Sequence, residues 1–530
     1  MVRRVPLVIG FIVLGLQGSV AQAAGPPFTL GVAAGEVKSS SAMLWTRLDT
    51  PGPVVLRLSR DPALVSCTRP DPPAGGGAGV VRRTLDAAAA SDNTVRTTVS
   101  GLRPGTRYSY RFCRATATSR LGRFRTAPLP DADVPVEFAV SGDADGAIDP
   151  ATNAPAYNRF EVYARMAAAS NDFNVNIGDV MYSDSAVAGV PPALTLADKW
   201  AKYRLNLSYP NLQRLLAGSG VYSHWDDHEF VDDFSVPEFG AGLFAAGRKA
   251  FLDYTPTTYT AATGLYRRVR WGRNLEIFLL DERAFRSAKL SAEPACQNPQ
   301  SGRPDPFPQL PARLRTPRLL GALGISQLDP TAARTCQARL ADPARTMLGP
   351  AQLARFKRDI GQSRARFKVV LNELPIQQIY FNPYDRWEGY EAERRSLLRF
   401  LRARVENVVF LTTDLHANLV NDVRISTFTE RGGDTGFEEV VTGPVALKTF
   451  GADSVLKTGQ PATPAAIRAL FKARRPNGLG MRCAALDTYA YAQVSVSSTE
   501  LTIKLRDLNG NPVKERAGGR PCRQVTIAAR

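Results

Sequence analysis

Apolar and polar positions follow two rhythms along this chain. From Pro26 to about Ala127, short alternating runs bounded by turn residues predict β-strands. Ala42 to Arg47 alternates, Val54 to Leu58 follows the turn Pro51-Gly52-Pro53, and Val95 to Val99 leads into Gly101 to Phe112. After the turn-like stretch Pro128 to Pro135, short apolar runs alternate with helical periodicity, the pattern of an α/β domain with buried strands. The predicted strands are Val136 to Val140, Phe173 to Ile177, Gly220 to Trp225, Leu275 to Leu280, Phe367 to Leu371 and Val408 to Leu411. Helices are predicted at Ala156 to Ala168, Leu196 to Tyr203, Pro350 to Gly361 and Glu391 to Arg402. The tail, Tyr489 to Arg530, returns to strands at Gln493 to Val496 and Leu501 to Leu505, with Leu508 to Asn511 as a hairpin turn.

Residues 24 to 130 are therefore expected to form an N-terminal β-sandwich, and 131 to 530 an α/β domain completed by the C-terminal strands. In the former, Gly101 to Phe112 resembles the corner of a fibronectin type III module, where Tyr108 would bond back to upstream backbone. Pro70 to Gly79 reads as an exposed loop, and Ser291 to Thr346 as a Pro- and Arg-rich loop excursion.

Residues 1 to 23 read as a leader: Arg3 and Arg4, apolar Val5 to Leu16, then the small-x-small site Ala21-Gln22-Ala23. Cleavage near Ala23 implies a secreted protein. No later stretch approaches the roughly 20 apolar residues that a membrane span needs. Six cysteines in an exported chain suggest three disulfides, and proximity in sequence pairs Cys67 with Cys113, Cys296 with Cys336 and Cys483 with Cys522. The net charge of +18 favours anionic substrates or association with an anionic cell wall. No Lys/Arg-rich run stands out, which argues against a dedicated nucleic-acid groove.

The candidate chemistry lies after the predicted strands. Trp225-Asp226-Asp227-His228-Glu229 gathers three carboxylates and an imidazole, and two of only three histidines, His224 and His228, belong to this stretch. Acidic loops recur at Ser141 to Gly146, Gly178 to Tyr182, Asn372 to Pro375 and Thr413 to His416. In open α/β sheets sites form outside the carboxyl ends of strands, so these loops are expected to converge. Oxygen-rich ligands with one histidine and one phenol suit iron(III), manganese or calcium better than a zinc finger. Asp145 is expected to turn its loop, and His224 to lie behind the ligands.

In this order, Asp143, Gly178-Asp179 with Tyr182, Asp227-His228-Glu229 and Asp414-x-His416 resemble the calcineurin-like metallophosphoesterases. Leu280 to Arg283, Arg345 to Gly349 and Asp385 to Tyr390 resemble the alkaline phosphatase D (PhoD-like) branch, which includes secreted phosphodiesterases and phospholipases D. The resemblance implies a four-layer α/β/β/α sandwich after the β domain. It implies a centre of two or more metals, iron(III) with calcium, or alternatively manganese or zinc. Asp143, Asp179, Tyr182 and His416 would hold one ion, and Asp179, Asp227 and Asp414 the other. Glu373, or its neighbour Asn372, would complete the ligand set of the second metal, in the place where many relatives have histidine. Ser141 is followed by Gly142 where the branch has a metal-binding cysteine, so Asp143 would have to substitute. His228 would protonate the leaving group during attack of a metal-bound hydroxide on a phosphate mono- or diester. Arg283, Arg386, Trp387 and Tyr390 are candidate substrate contacts, with neutralisation of Asp281 and loop packing as alternatives. Two other functions stay open: a phospholipase D-type phosphodiesterase acting on lipid or wall polymer, and a non-catalytic wall-binding protein.

Overall fold

The computed structural model describes residues 26–69, 79–298, 302–324, 330–428 and 433–530. The leader expected at 1 to 23 and nearly all of the Pro70 to Gly79 loop lie outside the described residues. Among the described residues the strands build a nine-stranded, a seven-stranded and a five-stranded sheet and a two-stranded ribbon.

At the heart of the nine-stranded sheet Val136–Ser141, Phe173–Ile177 and Gly220–His224 run parallel. The tail strands Ala490–Val496, Glu500–Asp507 and Val525–Ala528 extend it antiparallel. In the seven-stranded sheet Leu275–Leu279, Phe367–Asn372, Val408–Thr412 and Asp434–Val441 run parallel. The side-chain period of two decides which core each residue joins. Phe138 and Val140 enter the layer between the two large sheets with Val369, Leu371, Val409 and Leu411. Ala139 points the other way, toward Tyr163 and Leu207 of the helices Glu161–Ala168 and Leu196–Leu207. Val370 and Phe410 face Phe356 and Leu397 of Gly349–Gly361 and Glu391–Arg404. The result is the expected α/β/β/α sandwich.

Several elements differ from expectation. The first helix begins at Glu161 rather than Ala156, because the Asn158 side chain accepts the Phe160 N–H and Phe160 turns into the left-handed region at φ 59°. The helices Pro210–Gly218 and Val236–Tyr254 were not predicted. The segment from Ser291 to Thr346 is more than a loop: it carries the helices Pro317–Leu323 and Pro330–Leu340. The three expected disulfides are present.

The N-terminal strands continue the catalytic sheet. Val32–Gly35 runs parallel to Gly220–His224, and Ser41–Arg47 and Thr94–Ser100 follow it outward. Gly52–Ser59, Val81–Ala87, Arg107–Arg114, Ala117–Thr118 and Gly122–Arg125 form the separate five-stranded sheet. Tyr108 makes the corner bond: its hydroxyl accepts the Arg103 N–H at 2.9 Å.

Asp92 joins this region to the helices. It accepts from Arg47, from Arg204 of Leu196–Leu207 and from the Tyr254 hydroxyl. Burial works against its charge, yet these hydrogen bonds hold the carboxyl below its ordinary value. Removing one hydrogen-bonded charge and leaving two guanidinium groups behind costs about 2–3 kcal/mol. Asp92→Ala should therefore shift the denaturant midpoint by that amount with an unchanged slope. A loss below about 0.5 kcal/mol, the range of an ordinary surface substitution, would show that this clamp contributes little.

Candidate metal centre

The loops that follow the parallel strands of both large sheets meet at one place, and backbone geometry brings them there. Asp143, Asp179, Asp414 and His416 have φ of 63°, 52°, 66° and 51°, a left-handed conformation that costs a side-chain-bearing residue of order 1 kcal/mol or more. Gly178, at φ 85°, lets the Asp179 loop press against the next one: a Cβ there would lie 2.4 Å from the Cβ of Asp226. Thr413 donates to the Ile177 carbonyl at 2.7 Å, and the Asp414 N–H donates to Asp143 Oδ1 at 3.1 Å, tying loops of the two sheets together.

Four overlapping groups result, in each of which one ligand atom per residue lies within 4.8 Å of the others: Asp143, Asp179 and His416; Asp179, Asp227 and His228; Asp226, Asp227 and Asp414; and Asp227, Asp232 and Asp233, the last with Asp232 exposed. Asp179 belongs to two of them and Asp227 to three, as bridging groups must. The Tyr182 hydroxyl donates to Asp179 Oδ2 at 2.6 Å and lies 3.5 Å from His416 Nε2. Burial raises the carboxyls of Asp143, Asp179 and Asp414 well above the usual range, and neighbouring carboxylates add to the rise. Burial pushes His416 down to about 3, leaving a neutral imidazole able to donate a lone pair. Asp143 Oδ2, Asp226 Oδ2 and Asp227 Oδ1 are buried without a hydrogen-bond partner. Unpaired buried carboxylate oxygens converging from several loops are the donor set that a hard cation satisfies.

His228 sits at the rim. Burial lowers its affinity for a proton, but the charges of Asp227, Asp179 and Asp184 outweigh that and raise its pKa well above the ordinary value. Asp184 Oδ1 holds Nδ1 at 2.6 Å, and the ring packs on Tyr182 with centroids 4.2 Å apart.

The third carboxylate of the acidic run is a brace, and other supporting residues, Asn206 and Lys199, escaped the sequence analysis. Glu229 accepts the N–H groups of Val180 and Asp226 at 2.7 and 2.8 Å, and so braces two of the acidic loops. Asn206 donates to the carbonyls of Ala144 and Val180 and accepts from Gly146. The buried Lys199 ammonium donates to Ser183 and to the carbonyls of Glu229 and Phe230. A capping-box start at Thr195 and Asp198 marks their helix, but nothing in the sequence ties Lys199 or Asn206 to the distant loops.

Other candidates lie elsewhere. Glu373 accepts from the Glu282 N–H at 3.1 Å, and its other oxygen, buried without a hydrogen-bond partner, lies 2.8 Å from His224 Nδ1, outside these groups. Adjacent Asn372 is fully buried with both side-chain polar atoms unpartnered. His224 lies behind the centre, as expected, and burial pushes it down to about 4. Asp145 turns its loop by accepting from Ala147 and Ser185. Arg283 is a fully buried hub rather than an exposed phosphate clamp: it pairs with Asp226, with Asp385 at 2.8 Å and with Asp414 at 3.2 Å. Arg386 is turned toward the Phe381 carbonyl and Glu388. Trp387 and Tyr390 do not line a cleft. Both are 0% exposed, their apolar rings held in the helical core and their polar tips satisfied by Glu282 and the Ser287 carbonyl.

Comparison with known proteins agrees with this geometry. The PhoD-like phosphatase model matches residues 151–505, and the model of the N-terminal domain of PhoD-like phosphatases matches residues 15–128. Alkaline phosphatase D of Bacillus subtilis strain 168 is 24% identical over 491 residues, covering 82% of this chain and 72% of that protein. A solved structure of PhoD superposes with a TM-score of 0.66 at 20% identity, covering 95% of this chain and 89% of that one. A purple acid phosphatase from yellow lupin (Lupinus luteus) seeds gives a TM-score of 0.52 at 10% identity, covering 94% and 73%. With two thirds of its length matched by the family model and its acidic loops gathered at the strand ends of a metallophosphoesterase sandwich, the chain belongs to the PhoD-like phosphatase family and is a hydrolase of phosphoric ester bonds.

Proposed function

We propose that this protein is an exported alkaline phosphatase D-type enzyme that hydrolyses phosphate mono- or diesters at a centre of two or more cations, iron(III) with calcium. The observation that carries this reading is the set of overlapping Asp and His groups with buried, unpartnered carboxylate oxygens. When bound, such cations polarise phosphoryl oxygens and acidify coordinated water. Asp143, Asp179, Tyr182 and His416 are assigned to one ion, and Asp179, Asp227 and Asp414 to the other, with Asp226 as a further donor beside them. Glu373 remains a candidate ligand apart from these groups: its Oε1 is buried without a hydrogen-bond partner, and His224 Nδ1, 2.8 Å away, is engaged by the Trp225 carbonyl. The phenol of Tyr182 favours iron(III) over manganese or zinc, because a hard phenolate pairs with a hard trivalent ion.

His228 is assigned as the proton donor to the departing alkoxide. Asp184 fixes Nδ1, so Nε2, 3.6 Å from Asp232 Oδ1, is the nitrogen assigned to the proton transfer. The division of the mature chain near residue 130 is supported by the two family models, which match on either side of it. Export is supported by the leader composition and by three disulfides, which persist in oxidising compartments.

Asp179→Asn should reduce hydrolysis by more than the roughly 100-fold that loss of a supporting group costs, and should lower bound metal as well. Kinetics beside metal analysis checks this; wild-type turnover at full metal occupancy would remove Asp179 from the centre. Iron-loaded protein should show a visible phenolate-to-iron band that Tyr182→Phe abolishes while the fold persists. A colourless, fully active, iron-free wild type would defeat the iron assignment and leave the esterase assignment standing. His228→Ala should slow esters of poor leaving groups by about 10²- to 10⁴-fold and nitrophenyl esters far less. Equal slowing of both, or loss of metal, would make His228 a ligand or a positioning group instead.

A further inference from the structure

The strands of the five-stranded sheet assemble a basic face that no run in the sequence reveals. Arg107 lies opposite Arg125, Ser109 opposite Arg123, and Arg57 opposite Arg111. Alternation places Arg107, Ser109 and Arg111 on the side away from Tyr108, Tyr110 and Phe112, whose rings enter the core. Like charges directly across a sheet repel; Arg125 is met by Asp172 and Arg57 is buried and bound to the Arg69 carbonyl, which leaves Arg107, Arg111 and Arg123 as the outward cations of this face.

A cavity of about 310 Å³ opens where the face meets the catalytic layers, walled by Arg60, Arg107, Arg123, Arg125, Asp172 and Ser219. Asp172 is already engaged: Arg125 pairs with one oxygen at 2.5 Å and the Glu137 N–H donates to the other at 3.1 Å. Arg60, Arg107 and Arg123 are exposed and have no carboxylate at ion-pair distance among the described residues. The helices Glu161–Ala168 and Pro210–Gly218 end at the cavity, and each carboxyl end carries roughly half a negative charge. Together they offset about one guanidinium, so the wall stays cationic.

This place is separate from the metal centre. Asp172 and Ser219 precede the strands Phe173–Ile177 and Gly220–His224, whereas the acidic loops follow them. Five residues of strand, about 16 Å, lie between.

We propose that the cavity and its arginine face bind a base-free anionic polymer bearing phosphate-type groups. Arg107 and Arg111 are about 14 Å apart along their strand, farther than a single phosphate reaches, which favours a chain over a lone ion. The exposed large apolar residues, Leu129, Leu194, Phe239 and Leu456, are not on this sheet, so the face lacks anchors for a bilayer. Its aromatic rings point inward, so it offers no platform on which nucleobases stack.

The test measures binding of long-chain inorganic polyphosphate to the metal-loaded, mature protein across a salt series. The double variant Arg107→Ser, Arg123→Ser should bind about tenfold or more weakly, with the slope of log affinity against log salt reduced by about two. Hydrolysis of nitrophenyl phosphate should be unchanged, and the corresponding double lysine variant should retain most of the binding. If the serine variant also loses hydrolysis, Arg107→Gln and Arg123→Gln are compared singly, and unchanged affinity in both overturns the proposal. It is equally overturned if the double variant binds polyphosphate like the wild type, or if oligothymidylate of equal charge or phosphatidylglycerol vesicles bind more tightly than polyphosphate.

Discussion

The constraint on which the rest of this structure depends is mutual repulsion among buried carboxylates. Asp143, Asp179, Asp226, Asp227 and Asp414 crowd into groups whose donor atoms lie within 4.8 Å, and two unit charges at that distance repel by about 3–4 kcal/mol at an effective dielectric constant near 20. A domain stable by roughly 5–15 kcal/mol cannot carry several such terms uncompensated. Three kinds of compensation are built in. Backbone N–H groups reach Asp143, Asp179 and Asp227. The Arg283 guanidinium serves Asp226, Asp385 and Asp414. Bound cations would supply the remainder, and the partnerless oxygens lie in the Asp and His groups able to hold them.

Arg283 also explains why the centre has a charged wall on one side. An arginine buried to 0% exposure is tolerable only with its fork of donors filled, and here carboxylates fill it. A second arginine, Arg286, shares Asp385 with it, and the pair pulls that carboxyl well below its usual range against the effect of burial. Sequence neighbours such as Asp281 are bound differently: its carboxylate accepts from the Trp225 indole and from the backbone of Leu265. The sequence read Arg283 only as a candidate substrate contact or a partner of Asp281 because its actual partners sit far away in the chain, at Asp226, Asp385 and Asp414.

The same physical reason separates what the sequence made legible from what it did not. The central strands and the order of acidic loops were readable because a strand buried on both faces leaves a continuous apolar run, and a loop at its end leaves Gly-Asp. Phe173–Ile177 has the expected boundaries, and Asp143, Asp179, Tyr182, Asp227 and Asp414 converge as anticipated. Long-range partners leave no such local mark. Asn206, Lys199 and Asp184 are ordinary helix or loop residues until tertiary structure places them against other loops. Trp387 and Tyr390 misled because an aromatic beside charged residues reads as a cleft wall, whereas burial of the ring with one satisfied polar tip is the more stable arrangement. The helix Val236–Tyr254 was missed for a local reason: Gly240 interrupts it at φ 87°, and its fully buried positions begin only at Gly247.

The continuity of the nine-stranded sheet gives the N-terminal region a part in positioning the centre. The run Trp225 to Glu229 hangs from the end of Gly220–His224, which pairs with Phe173–Ile177 on one side and Val32–Gly35 on the other. Without Val32–Gly35 that strand would be an edge, with a free row of backbone donors and acceptors and a less determined register. A one-residue slip would reverse its side chains and carry Asp227 away from Asp179. The strand is further fixed at its start, where the Tyr222 hydroxyl bonds to the Val37 carbonyl, and at its end, where Trp225 packs among Phe230, Phe244 and Phe251. The N-terminal strands thus act on the chemistry without touching it, by making an inner strand of the one that carries Asp226, Asp227 and His228.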